Sequence, residues 1–124
     1  MEIDKKNYLV SGPKDEKTRE KIRLKMRLIF NNYKRCIIGT AHVKEIPGLG
    51  YSFQEEGYKH LFFIYKSASK EKVAYFEEAF REMYRNEIEI LEEEESEDGS
   101  ATGIVKEKGQ YVLYITGKTK KKLF

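Results

Sequence analysis

The chain has 124 residues, 40% of them hydrophobic and 13% aromatic, which is enough apolar material for one folded core without disulfides or metal. This excludes a disordered chain, and no apolar run approaches the roughly 18 residues that a membrane-spanning helix needs. The one cysteine, Cys36, has no partner for an internal disulfide, and the first residues lack the pattern of a signal peptide. We therefore expect one domain, residues 1–124, in the cytoplasm, with no membrane partner and no cofactor.

Charge is spread unevenly along the chain, although the formal net charge is only +3. Residues 1–50 hold 12 basic and 6 acidic side chains, whereas residues 51–100 hold 6 and 14. Residues 101–124 return to a basic excess of 6 against 1. The basic front, acidic middle and basic tail either neutralise one another in the fold or present separate charged faces to partners.

The first part of the chain predicts a strand, a long helix and a second strand. Residues 7–11 form a short apolar run that ends at Gly12 and Pro13, and proline is well placed near a helix start. A helix is predicted over residues 14–33 because apolar residues repeat on one face, namely Ile22, Met26, Ile29 and Tyr33. Residues 36–43 follow as a strand rich in β-branched side chains.

The middle of the chain predicts two strands and a second helix. Pro47 and the glycines after it indicate a turn, and residues 51–56 alternate as a strand does. Residues 60–66 are apolar on both faces, which predicts a central strand. Ser67 or Ser69 then caps a helix. The side chains of this helix that should face the core are Val73, Phe76, Phe80, Met83 and Tyr84.

The last part predicts an edge strand over residues 87–91, a mobile acidic loop over 92–103, a hairpin over 103–117 and a basic tail over 118–124. The element order indicates an α+β fold, a mainly antiparallel sheet with two helices on one face. It fits a ferredoxin-like β-α-β-β-α-β order plus the C-terminal hairpin. The strand over residues 51–56 does not fit that order, so the topology stays open.

Basic side chains follow both flanks of the apolar stripe on the first predicted helix. Arginines spaced four residues apart would follow a row of phosphates and give salt-sensitive affinity, and the alternative is an ordinary solvated helix. Our first hypothesis is a nucleic-acid-associated module that binds RNA or DNA, with Tyr51 or Tyr58 stacking on bases. Its phosphate-binding residues would be Arg19, Arg23, Arg27, Lys34, Arg35, Lys118, Lys120, Lys121 and Lys122.

Two further hypotheses use other features. A protein-interaction or regulatory module would use Leu24 and Leu28, on the back of the first helix, for a protein partner or self-association, or would dock a basic protein on the acidic run. A small enzyme would use a site near Cys36, His42 and His60. Buried structural roles are the simpler interpretation of these three residues, no local spacing resembles a metal site, and we assign no catalytic residue.

Overall fold

The computed structural model describes residues 1–86, 88 and 110–118, and within them it contains a four-stranded sheet and three helices. The strands are β1 (Glu2–Asp4), β2 (Cys36–His42), β3 (His60–Ser67) and β4 (Tyr111–Gly117). The helices are α1 (Glu16–Asn32), α2 (Ile46–Glu55) and α3 (Lys70–Met83), and a short 3-10 turn (Val43–Glu45) precedes α2. The predicted α+β class is confirmed.

The sheet is mixed and has the order β1-β3-β4-β2. β4 is antiparallel to both β2 and β3, and β1 pairs in parallel with β3. This strand order does not confirm the ferredoxin-like prediction. β2 and β3 run in the same direction because α2 connects them as a crossover, where the sequence predicts a turn and a further strand.

Residues 46–55 form α2, so the predicted turn and the predicted strand over residues 51–56 are wrong. Pro47 lies in the first turn of the helix, where a backbone N–H would have no intrahelical partner. Buried residues recur at i, i+4 and i+7 along α2, at Ile46, Gly50 and Phe53. Packing of this face against the sheet outweighs the local preference of proline and glycine for turns.

Apolar side chains cover both faces of the sheet. α1 and α3 pack on one face, in agreement with the two helices predicted there, and α2 covers the opposite face. β3 is a central strand between β1 and β4, and it is buried on both faces, as predicted, because helices cover the two sides of the sheet. Met83 is 42% exposed, contrary to the prediction. The other residues of α3 and its end that were predicted to face the core are buried, namely Val73, Phe76, Phe80 and Tyr84.

α1 begins where the side chain of Asp15 accepts a hydrogen bond from the backbone N–H of Thr18 at 2.9 Å. That hydrogen bond is the main reason that the pKa of the Asp15 carboxyl lies below its ordinary value. The predicted apolar stripe of this helix is buried, although Tyr33 lies one residue beyond its end.

The first strand is β1 rather than residues 7–11. The Asp4 carboxylate accepts hydrogen bonds from two backbone N–H groups of the following turn, at 3.1 and 2.9 Å, and the chain leaves the sheet there. Burial raises the pKa of Asp4, but these hydrogen bonds outweigh it and hold the pKa below its ordinary value. Val10 alone returns to the sheet edge, where its N–H donates to β3 at 2.8 Å. We call residues 5–9, between these two points, the N-terminal loop.

β4 pairs along its whole length with β2 on one side and with β3 on the other. Neither of its edges is therefore open to the partner strand of the predicted C-terminal hairpin. The rest of that hairpin, the acidic loop, the tail beyond Lys118 and all of residues 87–91 except Ile88 lie outside the described residues. Within the described ranges, no helix has the length and apolar character needed to cross a membrane.

Candidate functional site

One end of the sheet brings together residues from all four strands. Cys36 of β2 and His60 of β3 lie opposite Gly117 of β4, on its two sides. Glu2 of β1 lies opposite His60. At this end of the sheet, a group of cations lies on one face and a polar cleft opens on the other.

Three cations lie one residue beyond this row, and we call Arg35, Lys59 and Lys118 the basic edge. The N–H of Lys118 donates to the carbonyl of Arg35 at 2.9 Å, and the N–H of Lys59 donates to the carbonyl of Gly117 at 3.0 Å. Strand alternation places the three side chains on the α2 side, where the Lys118 ammonium lies 5.2 Å from the ring centre of Tyr58. The Cβ atoms of opposed residues on neighbouring strands lie about 5 Å apart, so the three cationic side chains extend from adjacent positions at this end of the sheet.

The other predicted phosphate-binding residues differ in position and in contacts. Lys34 is exposed and precedes the basic edge directly, whereas Lys120, Lys121 and Lys122 lie outside the described residues. The three arginines of α1, Arg19, Arg23 and Arg27, lie on a separate surface, the flank of that helix that faces the end of α3.

Two of the α1 arginines make contacts within the chain. The guanidinium of Arg23 forms an ion pair with Glu20, with Nε at 3.1 Å from Oε1. The guanidinium of Arg27 lies 5.3 Å from the ring centre of Tyr84. These contacts compete with phosphate for the same donors, so the row of arginines is a less open surface than its spacing in the sequence indicates.

A cleft of about 850 Å³ opens between the N-terminal loop and the end of α1. Its lining includes a hydrogen-bonded chain of three side chains. The hydroxyl of Tyr33 lies 2.7 Å from Nδ1 of His60, and Nε2 of His60 lies 2.9 Å from Oε1 of Glu2. Sequence reasoning named His60 as a candidate but missed both partners, because only the fold brings the end of α1 and the edge strand to it.

Glu2 determines which atoms carry protons in this series of three hydrogen-bonded side chains. An ionised carboxylate only accepts hydrogen bonds, so Nε2 of His60 carries a proton. In the neutral imidazole, Nδ1 is then the acceptor for the hydroxyl of Tyr33. Burial raises the pKa of Tyr33, with smaller contributions from Tyr8, Cys36 and Glu2, so the phenol stays protonated at neutral pH and donates.

Buried tyrosines predict a loss of stability at high pH. Burial also raises the pKa of Tyr65, whose hydroxyl donates to the carbonyl of Gly12 at 2.6 Å. Tyrosine ordinarily ionises near pH 10, so in the unfolded chain Tyr33 and Tyr65 lose their protons at lower pH than in the folded protein. The free energy of unfolding should hold below about pH 10 and fall as the pH rises through the folded-state pKa values.

Urea unfolding at a series of alkaline pH values measures this effect, and tyrosinate absorbance follows the ionisation itself. Tyr33→Phe and Tyr65→Phe should each make the free energy of unfolding less dependent on pH in this range. If every tyrosine of the folded protein ionises in one step near pH 10, the prediction is wrong.

Aromatic rings line the same cleft. The imidazole of His60 stacks on Phe62, with ring centroids 6.0 Å apart and planes inclined by 19°. Tyr8 of the N-terminal loop meets Phe62 edge-on at 5.0 Å and is partly exposed. Lys25 of α1 approaches the carbonyl of Asn7 at 3.4 Å and thereby connects the loop to the helix. The cleft therefore has an aromatic wall whose side chains contact one another between β3 and the N-terminal loop, and α1 contacts that loop.

The three residues of the enzyme hypothesis do not come together. Cys36 is buried at the same end of the sheet as His60, with β4 between their strands. His42 lies at the other end of β2, about 20 Å from Cys36 at roughly 3.3 Å per residue. There its Nδ1 accepts from the N–H of Lys44 at 3.0 Å and caps the 3-10 turn. No cluster of three or more potential metal ligands occurs in the part of the chain that the structure describes.

Exposure separates the remaining candidates. Leu24 and Leu28 are 54% and 51% exposed on the outer face of α1. Tyr51 is 67% exposed and stays a candidate for base stacking. Tyr58 is buried next to Lys118, so the prediction that it is an exposed stacking residue is wrong.

Sequence reasoning also missed Lys59 as a member of the basic edge. In the sequence, Lys59 is marked only by its position before the predicted strand over residues 60–66. Its place beside Lys118 follows from the register of β3 and β4.

Comparisons with protein-family models, with curated proteins and with solved structures find no match.

Proposed function

We propose that the protein binds single-stranded RNA or DNA through the basic edge. The observation that supports this most directly is the position of Arg35, Lys118 and Lys59 side by side, each one residue beyond the end of one of three neighbouring strands. Cationic side chains that extend from backbone positions about 5 Å apart can reach successive phosphates, which gives affinity with little sequence preference. In the sequence, Lys120, Lys121 and Lys122 follow soon after Lys118 and would supply further cations.

A single strand is the proposed form because this end of the sheet combines cations with aromatic side chains. Proteins that bind single strands without sequence preference pair a positive groove with rings on which unpaired bases stack. The basic edge provides the first feature on one face of the sheet, and the cleft that contains Tyr8 and His60 provides the second on the other, so a strand would pass around this end of the sheet to reach both. Arg19, Arg23 and Arg27 of α1 rank below the basic edge in this proposal, since they lie on a separate surface, outside the cleft lining.

The proposal predicts a strong dependence of binding on salt and on the basic edge. On single strands each phosphate contact contributes about 0.7 to the slope of log affinity against log salt. Reversing all three charges, with Arg35→Glu, Lys59→Glu and Lys118→Glu, should therefore reduce that slope by about 2. Fluorescence anisotropy with a labelled strand of about 20 nucleotides, titrated at several salt concentrations, measures both the affinity and the slope.

The matched control reverses three charges at the opposite end of the sheet, with Lys44→Glu, Lys66→Glu and Lys70→Glu. It changes the net charge by the same amount, so it should weaken binding only through the general field of the protein. Equal losses in the two triple variants would contradict a localised site. Affinity that is the same at low and high salt would contradict phosphate binding altogether. Thermal melting confirms that each variant is folded.

A second candidate function is self-association through Leu24 and Leu28, and their exposure on the outer face of α1 favours it. Two half-exposed leucines are a small part of the 1,200–2,000 Å² that a stable interface typically buries, so this candidate ranks below nucleic-acid binding. Sedimentation at increasing protein concentration decides it, because a constant monomer mass would exclude a dimer.

A further inference from the structure

We infer that the cleft beside Tyr33, His60 and Glu2 holds one unpaired nucleobase of the bound strand. This inference rests on the proposed function and adds to it a specific pocket for the base. At about 850 Å³ the cleft lies within the range of pockets that enclose small ligands, so one base with its sugar fits.

The charges that line the cleft balance, so the cleft lacks the positive excess that attracts a phosphate to the basic edge. The lining carries two acidic residues, Glu2 and Asp4, against two lysines, Lys5 and Lys6. Positive charge instead accumulates outside the cleft, on the basic edge and at Lys34. A strand bound across this end of the sheet would therefore leave its phosphates on the cations and turn a base into the cleft.

The aromatic wall provides flat surfaces for such a ring. His60 is backed by Phe62, which stacks on it, and its side chain is 27% exposed. Tyr8 stands edge-on to Phe62 at the side of the N-terminal loop. A base that enters between the loop and α1 meets one or both of these rings, and stacking on aromatic side chains tolerates every base.

Two side-chain oxygens of the cleft lining can accept hydrogen bonds from the N–H groups of a base. Oε1 of Glu2 is engaged by His60, but Oε2 of Glu2 makes no hydrogen bond within the described residues. The side-chain amide of Asn32 donates to the carbonyl of Leu28 at 3.1 Å, which leaves its own oxygen able to accept. Glu2 and Asn32 both line the cleft, so we assign these two oxygens as the acceptors for the amino and ring N–H groups of the base.

The hydrogen-bonded chain holds the site in one arrangement. Tyr33 and Glu2 bind the two nitrogens of His60 from opposite sides, so the imidazole plane is set before a ligand arrives. Asp4 accepts two backbone hydrogen bonds and sets the start of the N-terminal loop. A preformed pocket loses less conformational entropy when it takes up a ligand.

The test compares a deoxycytidine decamer with an abasic decamer of equal length, in which every nucleotide lacks its base. The two strands carry the same phosphates, so their affinities differ only by what the bases contribute. We expect the wild-type protein to bind the decamer with bases about tenfold more tightly, the range that stacking of one base supplies. Tyr8→Leu should remove most of this preference, since leucine keeps an apolar contact with Phe62 but offers no ring.

His60→Gln is the second cleft variant, because glutamine retains hydrogen-bonding capacity but removes the imidazole. The matched control is Tyr75→Leu, which removes a partly exposed tyrosine from α3, outside the cleft, and should leave the preference intact. Circular dichroism and the melting temperature establish that each variant is folded.

Each outcome decides between the two proposals. Equal affinity of the wild type for both decamers would overturn the base pocket and leave binding at the basic edge in place. A base preference that survives both cleft variants would place the bases elsewhere and would also overturn the inference. If neither decamer binds, the proposed function fails together with it.

Discussion

Replacing Phe80 by alanine is expected to lower the free energy of unfolding by about 3–5 kcal/mol. Phe80 is fully buried between α3 and the sheet, and its ring stacks on Tyr84 with centroids 6.3 Å apart. Deleting the ring removes its transfer free energy and leaves a cavity that the surrounding residues fill only in part. Urea unfolding followed by circular dichroism measures the change directly.

The control for Phe80→Ala lies three residues further along the same helix. Met83 is 42% exposed, so Met83→Ala should change the free energy of unfolding by no more than about 0.5 kcal/mol. A small loss for Phe80→Ala, or a larger one for Met83→Ala, would mean that α3 presents a different face to the sheet. The pair therefore tests the orientation of the helix as well as the size of the core.

α3 and β3 could be predicted because each carries a complete periodic pattern. β3 is apolar on both faces because strands and helices cover it on every side, and α3 has buried residues at helical spacing after a serine cap. α2 could not be predicted in this way. Its ten residues include Pro47, Gly48 and Gly50, which are typical of turns. The helix is stabilised instead by packing of its buried face on the sheet, which the local sequence does not indicate.

The error at α2 also explains why the site was only partly predicted. The predicted turn leads from β2 into a strand over residues 51–56, whereas the helical crossover that occupies these residues leaves room for β4 between β2 and β3. β4 is the strand that brings Lys118 between Arg35 and Lys59. The residue types of the basic edge are visible in the sequence, but their adjacency depends on this pairing.

The cleft depends on long-range contacts in the same way. Tyr33 belongs to the predicted apolar stripe, and that pattern indicates only an ordinary core residue. Its hydroxyl forms a hydrogen bond with His60 because the end of α1 lies over β4 and β3. Glu2 reaches His60 because β1 pairs with β3, and sequence reasoning placed the first strand five residues too late. Neither contact has a local signature.

Gly117 is the position at which fold and site are most closely connected, and Gly117→Ala should damage both. A Cβ added there would lie 2.6 Å from Cγ and Cδ1 of Tyr33, closer than such atoms approach in folded proteins. The Tyr33 ring is buried over this glycine and must move. Because overpacking of this kind typically costs about 1–3 kcal/mol, we expect a loss of that size in the free energy of unfolding.

The displacement of Tyr33 should also break its hydrogen bond to Nδ1 of His60, now 2.7 Å long. His60 is one of only two histidines, so its imidazole resonances can be followed by NMR, and they should shift in Gly117→Ala.

Gly48→Ala is the control, since a Cβ there meets no atom within 4 Å and the substitution favours the helix by about 0.5–1 kcal/mol. Opposite signs for the two glycines would show that the close contact with Tyr33, and not glycine replacement as such, is responsible. Unchanged stability and unchanged His60 resonances in Gly117→Ala would contradict the placement of the Tyr33 ring and, with it, the hydrogen-bonded chain of the cleft.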